Sequence, residues 1–149
     1  MYKHILIPTD GSTLSEKTIT HGIGLAREFG ASVTVVTVTH PFHSIAGEPE
    51  MVVTMPDDYK EFVHRYLTSE TDASLAFADT VAHDAGVECE TASVEHEHPY
   101  QAIIDCAGQR NCDLIVMASH GRRGIAAMVL GSETTKVLTH SKTPVLVYR

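Results

Sequence analysis

The sequence predicts an α/β protein: one doubly wound sheet of five parallel strands with helices on both faces. Three observations carry that prediction. Short apolar or β-branched runs alternate with helical patterns from end to end, the order that builds parallel sheets through right-handed crossovers. The run Leu114 to Met117 is apolar throughout, as in a strand covered on both sides. Glycines at positions 30 and 86 stop the first two long helical patterns where a helix needs a left-handed residue.

Taken in order, His4 to Ile7 is the first strand, ended by Pro8. Ser12 or Thr13 caps a helix running to about Phe29, with Ile19, Ile23 and Ala26 at helical spacing, and Thr13-x-x-Glu16 fits a capping box. Gly22 and Gly24 inside it cost up to about 1 kcal/mol each relative to alanine, which close packing or a frayed helix would explain. Ala31 to Val38 is rich in β-branched residues and forms the second strand. His40 to Pro56 carries Pro41, Pro49 and Pro56 and reads as a long loop, of the kind that is functional or mobile in compact domains. From Asp57 a long helix begins, with Tyr59, Phe62, Val63, Tyr66, Ala73, Phe77 and Val81 recurring on one side until Gly86. Val87 to Val94 is the third strand. Pro99 opens a helix whose Tyr100, Ile103, Ile104 and Ala107 face the core. Asp113 to Met117 is the fourth strand, Ser132 to about Ser141 the last helix, and Pro144 to Val147 the fifth strand.

At 149 residues the chain is expected to be one domain with a core that needs neither disulfide nor metal. A formal charge of -8 argues against a nucleic-acid-binding surface, which requires clustered Lys and Arg. An acidic protein can still bind a nucleotide where its few cations are placed locally. No stretch approaches the ~20 apolar residues of a membrane span. Met1 to Ile5 enters a strand pattern directly, so no signal peptide is expected and the cytoplasm is the expected compartment. Cys89, Cys106 and Cys112 are odd in number and lack C-x-x-C spacing, as reduced buried thiols would be.

The most informative stretch runs from Asp113 to Ser132. A buried strand opens into a loop punctuated by Gly121, Gly124 and Gly131, and Gly131-Ser132 opens the next helix. Free N–H groups at a helix start, with Arg122 and Arg123 in the loop, describe a phosphate cradle. In doubly wound folds ligands bind beyond the carboxyl ends of the strands, where the strand order reverses. The loops after the first and fourth strands, Thr9 to Ser12 and Ala118 to Gly131, are therefore expected to face one another. No G-x-x-x-x-G-K-[ST], no G-x-G-x-x-G after the first strand and no G-x-S-x-G occurs, which excludes the corresponding phosphate-loop, dinucleotide and hydrolase readings.

With its I-L-I-P-T-D-G-S opening, D-L-I-V-M fourth strand and closing P-V-L-V, the chain resembles the universal stress protein family over essentially its whole length. The family's nucleotide motif is Gly-x-x-Gly, nine residues, then Gly-Ser or Gly-Thr; Gly121 and Gly131-Ser132 match its second part, and Ala118 replaces its first glycine. The resemblance implies strand order 3-2-1-4-5, a Rossmann-like sheet of the adenine nucleotide alpha hydrolase type. It further implies ATP as ligand, with AMP and ADP as alternatives and Mg²⁺ or Mn²⁺ beside it. Pro8, Thr9 and Asp10 would lie by the adenine and ribose, and Val38 would offer backbone groups to the adenine edge. Ala118, His120, Gly121, Arg122, Gly131, Ser132, Glu133 and Thr134 would surround the phosphates. Alanine adds only a methyl at position 118 and is excluded mainly where φ must be positive. Glu133, in the first helical turn, complements the helix dipole but would compete with phosphate unless a divalent cation bridges them.

The resemblance also implies a homodimer built on the last strand, Val145 to Tyr148, whose apolar edge invites pairing. No catalytic residue is assigned; a slow ATPase or autokinase and a nucleotide-free interaction module are the alternative readings. Among the ten histidines, His96 and His98 in Glu95-His96-Glu97-His98 form an H-x-H, but no third and fourth zinc ligand stands out, and a polar strand end is the simpler reading.

Overall fold

The computed structural model describes residues 1–41, 54–121 and 130–149. In chain order the elements are β1 (His4–Thr9), α1 (Thr13–Phe29), β2 (Ser32–Thr39), α2 (Asp57–Ala85), β3 (Cys89–Glu95), α3 (Pro99–Gln109), β4 (Leu114–Ala118), α4 (Ser132–His140) and β5 (Val145–Tyr148). Among the described residues the strands form one parallel sheet in the order β3-β2-β1-β4-β5, as the sequence predicts.

The period of two along each strand splits the core into two layers. Ile5 and Ile7 of β1, Val33 and Val35 of β2, and Leu114 and Val116 of β4 meet Ile19, Ile23 and Ala26 of α1 and Ala78 and Ala82 of α2. The intervening residues Leu6, Val36, Ile115 and Met117 meet Ile103, Cys106 and Ala107 of α3 and Val137 of α4. Burial pushes the Cys89 thiol up to about 11 and the Cys112 thiol to about 12, so both stay protonated at neutral pH. No disulfide joins the three cysteines.

The two neighbours of β1 hold it very differently. Register pairs run the whole strand against β2, from His4↔Ser32 to Thr9↔Thr37. Against β4 they stop after Ile5↔Leu114 and Leu6↔Ile115. The carbonyl of Lys3 accepts from Ser32 on the β2 side, and that of His4 accepts from Asp113 on the β4 side. Alternation along the strand then turns Leu6 and Pro8 toward β4. Pro8 has no N–H, so the β1–β4 ladder has no donor with which to continue there. The strands part at this point, which is also where the strand order reverses.

One local expectation is corrected and two are refined. The N-cap of α1 is Ser12 rather than Thr13, its hydroxyl accepting from the Ser15 N–H at 3.2 Å; Glu16 is four residues from this cap, one too far to complete a box. Gly22 and Gly24 have different explanations. A Cβ on Gly22 would come within 2.5 Å of Ile7 Cδ1 and 3.5 Å of Val116 Cγ1, so close packing requires glycine there, whereas a Cβ on Gly24 meets nothing within 4 Å. The stripe of α2 splits. Its buried line is the small residues Ser74, Ala78 and Ala82, while Tyr59, Phe62 and Tyr66 stand in solvent. Counting large apolar residues misplaces the stripe, because small residues are what let α2 lie close. Of the stretch His40 to Pro56, residues 42–53 lie outside the described residues.

Candidate functional site

The two strand exits meet beyond the point where β1 and β4 part. At the first, Gly11 adopts φ 75, which only glycine takes without strain, and turns the chain into α1. Asp10 Oδ1 accepts from the Ser12 N–H at 3.0 Å and from the Ser15 hydroxyl at 2.5 Å. Ser15, 2 % exposed, is a support residue that motif matching missed; its only signal was its place in the first turn of α1. With Oδ1 so held, Oδ2 points across the crevice to Gly121. A Cβ on Gly121 would collide with Oδ2, so any side chain there must displace the Asp10 carboxylate.

At the second exit, β4 and α4 are sewn together by buried polar bonds. The Thr134 hydroxyl donates to the Ala118 carbonyl at 2.9 Å, and the Gly131 N–H donates to the Ser119 carbonyl at 2.6 Å. Ser119 is buried, and its own N–H donates to Tyr148 of β5 at 2.7 Å. A side chain on Gly131 would approach the His120 Cα at 3.2 Å and the Ser119 carbonyl at 3.3 Å. His120 stands at the mouth, its Nδ1 3.1 Å from Ser119 Oγ. Thr134 is thus a structural tie to β4, while exposed Ser132 opens the helix.

Two sequence-level concerns are answered. Among the described non-glycine residues only Asn111 has positive φ, so Ala118 sits in backbone that alanine adopts freely. Glu133 does not point at the start of its own helix. Its Oε2 accepts from the Tyr100 N–H at 2.9 Å, capping α3, and its Oε1 pairs with Lys136 at 2.9 Å. Gly131, the N-cap of α4, supplies no side-chain cap, so the first turn of that helix keeps its dipole for an incoming anion.

Val38 lies just past the last residue of β1 that pairs with β2. β2 outlasts β1, whose last pair is Thr9↔Thr37, and continues against β3 through Val38↔Val94. Val33 donates toward β3 and Ser32 toward β1, so alternation turns the Val38 N–H and C=O to the β1 side, past the end of β1 and over the crevice. Pro8, Thr9, Asp10, Val38, Ala118, His120, Gly121, Gly131 and Ser132 are brought to one end of the sheet. Arg122, with Arg123 and Gly124, lies outside the described residues.

Among the described residues no group of three or more His, Cys, Asp or Glu could hold a metal ion. The His96 Nδ1 instead accepts the His98 N–H at 2.9 Å, with ring centroids 6.1 Å apart, and so serves the strand end. No described helix is long and apolar enough to cross a membrane.

Fold and crevice together define a doubly wound α/β protein with an open crevice at the switch point of its sheet, the place where proteins of this architecture take ligands. The chain belongs to the universal stress protein family, whose sequence model matches residues 1–149. It is 32% identical over 151 residues to universal stress protein MJ0531 of Methanocaldococcus jannaschii, covering 100% of this chain and 83% of that one. It is 29% identical to universal stress protein YxiE of Bacillus subtilis, covering 100% of both. Among solved structures, MJ0577 of M. jannaschii superposes with a TM-score of 0.77 at 27% identity, over 99% of this chain and 95% of that one. Two more distant neighbours share the fold. A universal stress protein in complex with cAMP has a TM-score of 0.71 at 24% identity, over 99% of this chain and 97% of its own. The Archaeoglobus fulgidus protein in complex with dAMP has a TM-score of 0.68 at 21%, over 99% and 98%.

Proposed function

We propose that this chain binds ATP, with Mg²⁺ or Mn²⁺, in the crevice between β1 and β4, and acts as a regulatory stress-response protein without dedicated catalytic machinery. The carrying observation is the meeting of Asp10 and Gly121 across the parted strands, beside an α4 N-terminus from which Glu133 has been drawn away. The adenine would lie against the Val38 backbone, the ribose by Asp10, and the phosphates at the first turn of α4 between Gly121 and Ser132. AMP and ADP fit the same adenosine contacts, and two neighbours of the same fold were solved with adenine nucleotides. The divalent cation would ride on the phosphates, as Mg²⁺ commonly does, because no described carboxylate–histidine group is built to cage it.

The reading extends to a homodimer in the cytoplasm. β5 lies at the sheet edge, paired on one side with β4, and its Leu146 is 41% exposed, a surface suited to strand pairing with a second copy. Calorimetry with Mg-ATP tests the site. Saturable binding to the wild type is expected, lost in Gly131→Val, whose branched side chain would press on His120 and cover the helix start. A folded wild type indifferent to millimolar Mg-ATP would refute the proposal.

A further inference from the structure

The first half of α2 carries a second surface, remote from the crevice in its chemistry. Between Asp57 and Ala73 not one residue of the helix is buried; its buried residues are Ser74, Ala78 and Ala82. Yet Tyr59, Phe62 and Tyr66 occur at spacings of three and four, which lines them up as one stripe. They are 51%, 64% and 56% exposed. No described residue buries this stripe, whose Tyr66 hydroxyl donates to Glu70 at 3.2 Å, and an exposed aromatic patch of this kind marks an interaction surface.

Its charge selects the occupant. Asp57, Asp58, Glu61, Glu70 and Asp72 give five carboxylates against two cations, Lys60 and Arg65. Both cations already pair within the helix, Lys60 with Asp57 at 3.4 Å and Arg65 with Glu61 at 2.9 Å. A second copy of the chain, of net charge -8, would set acid against acid. A cationic amphipathic helix would instead lay its apolar side on the rings and its lysines or arginines along the carboxylates.

We propose that the N-terminal half of α2 is a docking surface for a basic, amphipathic helical segment of another protein. Aromatic rings supply the anchors and the flanking acids the orientation and the encounter rate. This surface is independent of nucleotide.

The test uses the full chain and a fluorescent lysine/leucine helical peptide, with a glutamate/leucine peptide of the same pattern as control. The double variant Phe62→Ser with Tyr66→Ser keeps every charge, and its fold is checked by circular dichroism because both rings lie in solvent. Saturable binding of the basic peptide is expected, weakened at least about tenfold by the double variant and further by salt. No binding of the acidic peptide is expected. Equal binding by wild type and variant would reduce the effect to general acidity and overturn the proposal, as would an absence of saturable binding. Sedimentation showing self-association that the double variant abolishes would also overturn it, by assigning the face to a second copy.

Discussion

The same two strands, β1 and β4, are locked together at one end and held apart at the other. At the amino ends the Asp113 carboxylate accepts from the Lys3 N–H at 2.8 Å and the His4 N–H at 3.1 Å. The His4 ring adds contacts to the Arg110 carbonyl at 3.1 Å and to Thr34 Oγ1 at 2.8 Å. At the carboxyl ends pairing ceases after Leu6↔Ile115, Pro8 brings no donor, and Asp10 faces a glycine. A carboxylate satisfied by backbone N–H groups closes one end; a missing donor and missing side chains keep the other open. Cohesion and the proposed binding crevice thus lie at opposite ends of one junction.

The largest effect is expected where the open end is filled. Gly121→Val should put a branched side chain on the Asp10 carboxylate and weaken Mg-ATP binding at least about a hundredfold, some 2.7 kcal/mol, with the fold retained by circular dichroism. Unchanged affinity would mean that the crevice between the strand exits is not the binding site.

The next largest falls where α1 bridges the parting strands. Gly22 lies over Ile7 of β1 and Val116 of β4, just past the last paired residues. Gly22→Ala should overpack this point and cost about 1–3 kcal/mol in urea unfolding.

The closed end should respond to pH. Burial works to raise the Asp113 pKa, but the His4 and Lys3 N–H groups outweigh it and hold the carboxyl below its usual range. A group with a depressed folded pKa contributes stability above its unfolded value, about 3.9, and that contribution is lost as pH falls through the folded value. Asp113→Asn should therefore cost about 1 kcal/mol at neutral pH, modest because the group is only partly buried. The gap to the wild type should shrink in unfolding curves taken below about pH 4.

The smallest effect is opposite in sign. Gly24→Ala enters open space on the same helix as Gly22 and should stabilise by about 0.5–1 kcal/mol. A matched loss at both glycines would show that α1 does not sit on the junction as described.

Much of this was legible in the sequence, for physical reasons. Alternating elements and an all-apolar β4 announced the doubly wound sheet, and Thr9 to Ser12 with Gly121 and Gly131-Ser132 announced the crevice. Side-chain direction was not legible. Glu133 looked like a competitor for phosphate because it follows Gly131-Ser132 at the helix start, but its partner Tyr100 comes from another helix. The division of the α2 stripe was not legible for a related reason: an aromatic residue in a periodic pattern says nothing about whether a surface lies opposite it. Gly22 and Gly24 are indistinguishable in a sequence and opposite in a structure. Pro8 could be read as a strand end, but its effect on the ladder depends on which neighbour its missing N–H would have faced.

The central claim is that the open end of the β1–β4 junction is where a nucleotide sits, and amide chemical-shift mapping during a Mg-ATP titration tests it most directly. The predicted result is saturable shifts confined to Thr9–Ser12, Val38, Ser119–Gly121 and Gly131–Thr134, with Lys3, His4 and Asp113 unmoved. Shifts centred on α2 or β5, or a spectrum that ATP leaves unchanged, would contradict it.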